Sequence, residues 1–144
     1  MTSKLEFAKK RAEELISTAI SAREHAYAPY SGFKVGAAVL AGSGKTYGGC
    51  NVENASYSLT ICAERVAIGN AILSGEKEIE AIAVVADASE PVTPCGACLQ
   101  VLAEFFTPDD PIAIIAAKLD GSYGIRSLSE YLPIQFRFQP GGSK

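Results

Sequence analysis

Residues 62–86 read CAERVAIGNAILSGEKEIEAIAVVA, and their periodicity changes midway. Ala63, Val66, Ala67, Ala71 and Ile72 recur at helical spacing up to Ser74-Gly75, whereas Ala81 to Ala86 is a continuous apolar run of the kind buried on both faces of a sheet. Helix followed by buried strand is the repeating unit of a layered α/β domain. It recurs downstream, where Cys95 to Phe106 has helical character and Pro111 to Ala117 is a second buried strand. Upstream, Phe33 to Leu40 predicts a strand with small side chains at its centre, and a turn at Gly42-Ser43-Gly44 pairs it with Lys45 to Asn51. Ahead of these, Leu5, Ala8, Ala12, Leu15, Ile16, Ala19 and Ile20 share one helix face, begun by a Ser3–Glu6 capping box and closed off by Pro29. After an Asp120-Gly121 turn, Leu128 to Leu132 reads as one or two helical turns and Gln135 to Phe138 as a short edge strand. Residues 1–140 are expected to form one domain, with 141–144 a flexible tail.

Composition narrows the function. The 144 residues are 48% hydrophobic and 20% charged, with 13 Gly and 7 Pro, which is ordinary globular usage. A net charge of −3 does not attract a phosphate backbone or an anionic membrane. Lys4, Lys9, Lys10 and Arg11 are interleaved with Glu6, Glu13 and Glu14, the mixed charge of a solvated helix face rather than a track for a polynucleotide. The polar N-terminus offers neither a signal peptide nor a spanning segment, so a cytoplasmic protein is expected. Four cysteines in such a setting point to metal binding or catalysis rather than to disulfides.

Three of the cysteines stand at helix starts: Cys62 before Ala63-Glu64-Arg65, and Cys95 and Cys98 spaced so that their sulfurs share a face. Zinc takes thiolates tetrahedrally, and the positive end of a helix dipole favours the ionised sulfur. Three thiolates on a divalent ion leave a net −1, which Arg65 can offset by donating to a sulfur; a surface ion pair is the equally weighted alternative. Three ligands also leave a coordination position for water. Glu64, two residues from Cys62, falls beside such a metal rather than on it, where a carboxylate can act as general acid and base; without the cysteines it would read as a solvated helical Glu. Cys50 could close the site as a fourth thiolate, or be a small buried thiol on a strand.

Phe33 to Ala38, Gly49-Cys50-Asn51-Val52-Glu53-Asn54-Ala55, Cys62-Ala63-Glu64-Arg65 and Pro94-Cys95-Gly96-Ala97-Cys98, in this order, closely resemble the small homotetrameric cytidine deaminases. The similarity runs from Ala26-Tyr27 to Leu132-Pro133 and is most specific in the C-A-E-R and P-C-G-x-C pair. It implies a three-layer α/β/α domain with a central mixed sheet of about five strands. It implies one zinc ion per subunit on Cys62, Cys95 and Cys98, with Glu64 shuttling a proton from the attacking water to N3 and then to the departing amine. Cytidine and deoxycytidine would lose ammonia and become uridine and deoxyuridine, as in pyrimidine salvage. Asn51 and Glu53 resemble the residues that hold the ribose hydroxyls, the Ala63 N–H a contact to the base, and Phe33 an aromatic lining the pocket. A homotetramer with sites completed across subunit interfaces is implied, with Tyr57 and Phe136 at those contacts. Departures from the usual pattern are Leu99 where many relatives carry Arg, Ser58 where Gly is common and Val66 where Thr is common.

Other readings remain beside this one. A modified cytosine nucleoside, such as blasticidin S or an N4-substituted cytidine, would be deaminated by the same chemistry. A closed four-thiolate site would make the chain a non-catalytic zinc protein, and Cys95-Gly96-Ala97-Cys98 alone has the form of a redox dithiol. Gly42-Ser43-Gly44-Lys45-Thr46 is similar to part of a phosphate loop, but Val39 stands where that pattern needs Gly and a strand rather than a helix is expected to follow.

Overall fold

The two apolar runs, Ala81 to Ala86 and Pro111 to Ala117, need cover on both faces, and the computed structural model, which describes residues 3–138, provides it. The helices are α1 (Lys4–Lys10), α2 (Ala12–Arg23), α3 (Ala63–Leu73), α4 (Gly96–Ala103) and α5 (Leu128–Tyr131). The strands are β1 (Val35–Ala41), β2 (Thr46–Cys50), β3 (Ile79–Ala86), β4 (Ala113–Lys118) and β5 (Tyr123–Ser127), in the sheet order β2-β1-β3-β4-β5. Only β3 and β4 run parallel, joined by the crossover that contains α4; the other neighbours are antiparallel.

Alternation along the strands divides the core in two. Ala38 and Leu40 of β1, Ala81, Ala83 and Val85 of β3, and Ala113, Ile115 and Ala117 of β4 face α1 and α2. Ala37 and Val39, Ile82, and Ile114 face the opposite way, onto Ala63, Ala67, Ile68 and Ala71 of α3, Leu99 and Leu102 of α4, and Leu128 of α5. This is the expected three-layer α/β/α arrangement around a mixed five-stranded sheet. The layers approach closely because the facing side chains are small. An added Cβ at Gly36 would lie 1.9 Å from the Ala19 carbonyl of α2, and one at Gly49 2.3 Å from the Ala67 amide of α3, so neither position admits a side chain.

Three expectations require correction. The first helix is broken at Arg11 (φ −108°, ψ 8°), whose guanidinium turns to Glu14 and to the Gly44 carbonyl; the apolar period continues through the break and hides it. Of the capping box, Ser3 Oγ accepts the Glu6 amide at 3.2 Å, and no return bond is found among the described residues. The edge strand is Tyr123–Ser127, not Gln135 to Phe138. With β5 holding the sheet edge and α5 reversing the chain, residues 134–138 run as irregular backbone, tied by Gln100 to the Phe136 carbonyl and by Arg137 to the Phe106 carbonyl. The tail at 141–144 lies outside the described residues. None of the described helices is long and apolar enough to cross a membrane.

Candidate zinc-dependent active site

Helices α3 and α4 begin side by side, and each is capped by a cysteine in extended conformation: Cys62 (φ −69°, ψ 152°) and Cys95 (φ −71°, ψ 169°). Cys98 lies in the first turn of α4 and is fully buried. Neither capping side chain bonds its own helix, so both sulfurs are left to face each other. The Sγ atoms of Cys62, Cys95 and Cys98 all lie within 4.8 Å of one another, with Cys62 and Cys95 3.9 Å apart. Tetrahedral zinc, with Zn–S bonds of about 2.3 Å, needs sulfurs roughly 3.8 Å apart, so the donor set fits the ion in chemistry and in spacing. Cys50 lies on β2 opposite Gly36 and is not a member of the cluster; burial pushes its thiol up. The closed four-thiolate site is therefore not formed.

Charge at the cluster is graded. The Cys62 thiol is brought down to about 5, chiefly by the hydrogen bond from Cys98 and then, against the cost of burial, by bonds from Arg65 and Cys95. Cys98 is pushed up by giving that hydrogen bond and by burial beside Glu64 and Cys62. Arg65 Nη2 sits 3.4 Å from Cys62 Sγ and 3.4 Å from the Thr60 carbonyl, which is the placement expected of a residue offsetting thiolate charge. Its Nε is buried and has no hydrogen-bond partner among the described residues, a donor left over on the side chain that serves the cluster.

Glu64, in the first turn of α3, is 4% exposed. Burial, reinforced by the Cys62 charge and opposed in part by bonds from its own backbone and from Cys98, pushes its carboxyl above the usual carboxylate range. It lines a cavity of about 310 Å³ with Phe33, Asn51, Thr60, Cys62, Ala63 and Cys95. A second cavity of about 300 Å³, bordered by Tyr30, Ser31, Glu53, Asn54 and Tyr57, shares Thr60 with the first. A buried titratable carboxyl, a cluster of three thiols and an adjoining recess that offers hydroxyls and a carboxylate are elements a hydrolytic site can use.

The other expected residues divide between the two cavities. Asn51 is buried with its side chain spanning the β1 entrance: Oδ1 accepts the Val35 amide and Nδ2 donates to the Phe33 carbonyl, both at 2.9 Å. Glu53 accepts from the Tyr30 and Ser31 amides and from the Ser31 hydroxyl. Tyr57 is 76% exposed and edge-on to Tyr30. Phe136 borders neither cavity within the chain; its ring is exposed beyond α4. Ser31, Thr60, Val92 and Thr93 were not expected from sequence reading. Ser31 follows Pro29-Tyr30 in a turn whose purpose shows only when Glu53 is seen against it.

Helix starts that gather three thiols form a three-cysteine zinc centre with a buried carboxyl beside it. The chain belongs to the cytidine and deoxycytidylate deaminase family, whose zinc-binding region matches residues 9–112. The zinc of that family is held here through Cys62, Cys95 and Cys98. The chain is 48% identical over 124 residues to a cytidine deaminase of Sporosarcina psychrophila, covering 86% of this chain and 90% of the relative. It is 50% identical over 122 residues to a cytidine deaminase of Halalkalibacterium halodurans, covering 85% and 91%. The crystal structure of a cytidine deaminase from Burkholderia pseudomallei superposes with a TM-score of 0.80 at 46% identity, covering 85% of this chain and 97% of that one.

Proposed function

We propose that this chain hydrolyses cytidine and deoxycytidine to uridine and deoxyuridine with release of ammonia, and that Glu64 carries the proton. The observation that carries the reading is the buried Glu64 carboxyl in the wall of the cavity that Cys62 and Cys95 also line. Bound zinc supplies Lewis acidity that makes water acidic enough to attack near neutral pH. Glu64 takes one proton from the attacking water and delivers it to ring N3. It then takes the proton of the hydroxyl now on C4 and delivers it to the amino group, which leaves as ammonia as the C4–N bond breaks and the C4 carbonyl forms. A carboxyl whose proton affinity is raised by burial is suited to hold and return a proton in that sequence. Ala63 occupies the first position of α3, where the N–H has no intrahelical acceptor and can donate to the base. Phe33 covers the base, and Asn51 and Glu53 hold the ribose hydroxyls.

The named lining residues of both cavities include no Lys or Arg, while Glu53 stands in the outer one, which favours an uncharged nucleoside over a phosphorylated one. Tyr27, Tyr30, Phe33, Tyr57, Leu59 and Ile61 are apolar side chains left exposed around the same region. Their exposure supports a homotetramer in which neighbouring copies cover them and in which Tyr57 and Phe136 reach an adjoining site. Turnover of a small free nucleoside fits a cytoplasmic setting.

The test follows cytidine loss in the ultraviolet together with ammonia release, for the native protein and Glu64→Ala with zinc measured in both. Retained zinc with kcat reduced about 10²–10⁴-fold in Glu64→Ala is expected. A zinc-loaded native protein that leaves cytidine and deoxycytidine untouched but turns over blasticidin S or an N4-substituted cytidine would move the substrate to that class.

A further inference from the structure

The turn that precedes β1 converges on one carboxylate. Glu53 Oε1 accepts the Tyr30 amide at 2.9 Å and the Ser31 amide at 3.1 Å, and Oε2 accepts the Ser31 hydroxyl. The same hydroxyl accepts the Phe33 amide at 3.0 Å. Gly32, between them, has φ +69° and bonds back to the Ala28 carbonyl, a left-handed step that returns the chain over Glu53. Ser31 thus stands between a residue of the outer cavity, Glu53, and a residue of the inner one, Phe33. Ser31 is exposed and Glu53 half-buried at the rim of the outer cavity, where an untethered Glu side chain would still spread over several rotamers and lose that freedom on binding.

We propose that Ser31 is a positioning residue for nucleoside recognition, its hydroxyl holding the Glu53 carboxylate in the orientation that accepts the ribose hydroxyls. This rests on the reading of Glu53 as a ribose contact. Oε2 keeps acceptor capacity beyond the Ser31 bond, so the tether aims the group without using it up. The bonds also keep Glu53 ionised: its carboxyl is held below the usual range, with the Ser31 hydroxyl the largest cause. The contribution is pre-organisation, so it belongs in substrate affinity rather than in the chemical step.

Initial rates on cytidine would be measured for Ser31→Ala, Ser31→Thr, Glu53→Ala and the Ser31→Ala/Glu53→Ala double variant of the zinc-loaded enzyme. KM about 10-fold higher in Ser31→Ala with kcat within about twofold, restored by Ser31→Thr, is expected. In the Glu53→Ala background the Ser31→Ala change should add less than about twofold. Additive losses in the double variant would show that Ser31 touches substrate by itself and overturn the proposal. So would a fall in kcat at unchanged KM, or a Ser31→Thr variant that behaves as Ser31→Ala. An unchanged KM in Ser31→Ala beside a raised KM in Glu53→Ala overturns the proposal and leaves the ribose reading standing; an unchanged KM in Glu53→Ala removes that reading and the proposal with it.

Discussion

Three thiolates on a divalent ion leave one unit of negative charge, and Arg65 is the cation whose guanidinium reaches a ligand sulfur, 3.4 Å from Cys62. Position 99, where many relatives are expected to carry Arg, is filled by Leu99, 8% exposed within the apolar layer between α3 and the sheet. The compensation is therefore concentrated on one side chain. Arg65→Gln removes the charge while keeping a donor, and zinc affinity measured by competition with a chromogenic chelator should fall about 10–100-fold. An unchanged affinity would mean that the helix dipoles suffice and that the Arg65 charge does not help to hold the ion. The cluster was legible because cysteine at helix starts is a strong chemical signal, whereas the i to i+3 spacing of Cys62 and Arg65 left a surface ion pair equally open until the contact to Cys62 was seen. Ser31 and Thr60 were not legible, since small hydroxyl residues in loops carry no signal until another segment folds against them.

Helices α3 and α4 could be read from their apolar period because each buries one face on the sheet, and β3 and β4 because they are covered on both. Strand β5 could not, since Tyr123-Gly124-Ile125-Arg126-Ser127 lies half-exposed at the sheet edge and includes a glycine and an arginine. The break at Arg11 was equally invisible, as Ala8 and Ala12 remain buried across it. What periodicity does not convey is how near two elements come. At Gly49, paired with Ala37, a Cβ would meet the Ala67 amide at 2.3 Å and the Ala63 carbonyl at 2.5 Å, so β2 fixes the start of α3 and with it Cys62. Gly49→Ala should destabilise the protein by about 1–3 kcal/mol in urea unfolding and release zinc more readily, because α3 must retreat. Gly69→Ala, on the same helix with open space around its Cβ, should instead be neutral or stabilising by up to about 1 kcal/mol. Equal effects at the two sites would refute close packing as the cause.

The metal ties α3 to α4 across one face of a sheet whose two apolar layers are otherwise continuous, so zinc should stabilise this fold without being needed to form it. Ligand at about 1,000 times its Kd adds about 4 kcal/mol, equivalent to roughly 8–16 °C in Tm for a chain of this size. Chelation at pH 7 should lower Tm by that order while the sheet signal in circular dichroism persists. Zinc and protons compete for the three sulfurs, so the zinc-dependent part of Tm must shrink as pH falls. A separate acid effect acts with or without metal. Glu14, Glu53, Glu76 and Asp120 are each held below the usual carboxylate range, chiefly by hydrogen bonds from Arg11, Ser31, Ser43 and Ser122 respectively. A depressed carboxyl stabilises the fold above its unfolded pKa, and that contribution is lost as pH drops through the folded one. The zinc-loaded and chelated melting curves, scanned from pH 7 downward, should therefore converge first and then fall together below about pH 4.5. A gap that stays constant with pH would place the stabilising metal somewhere other than on thiolates, and loss of the sheet signal on chelation would make zinc part of the fold itself.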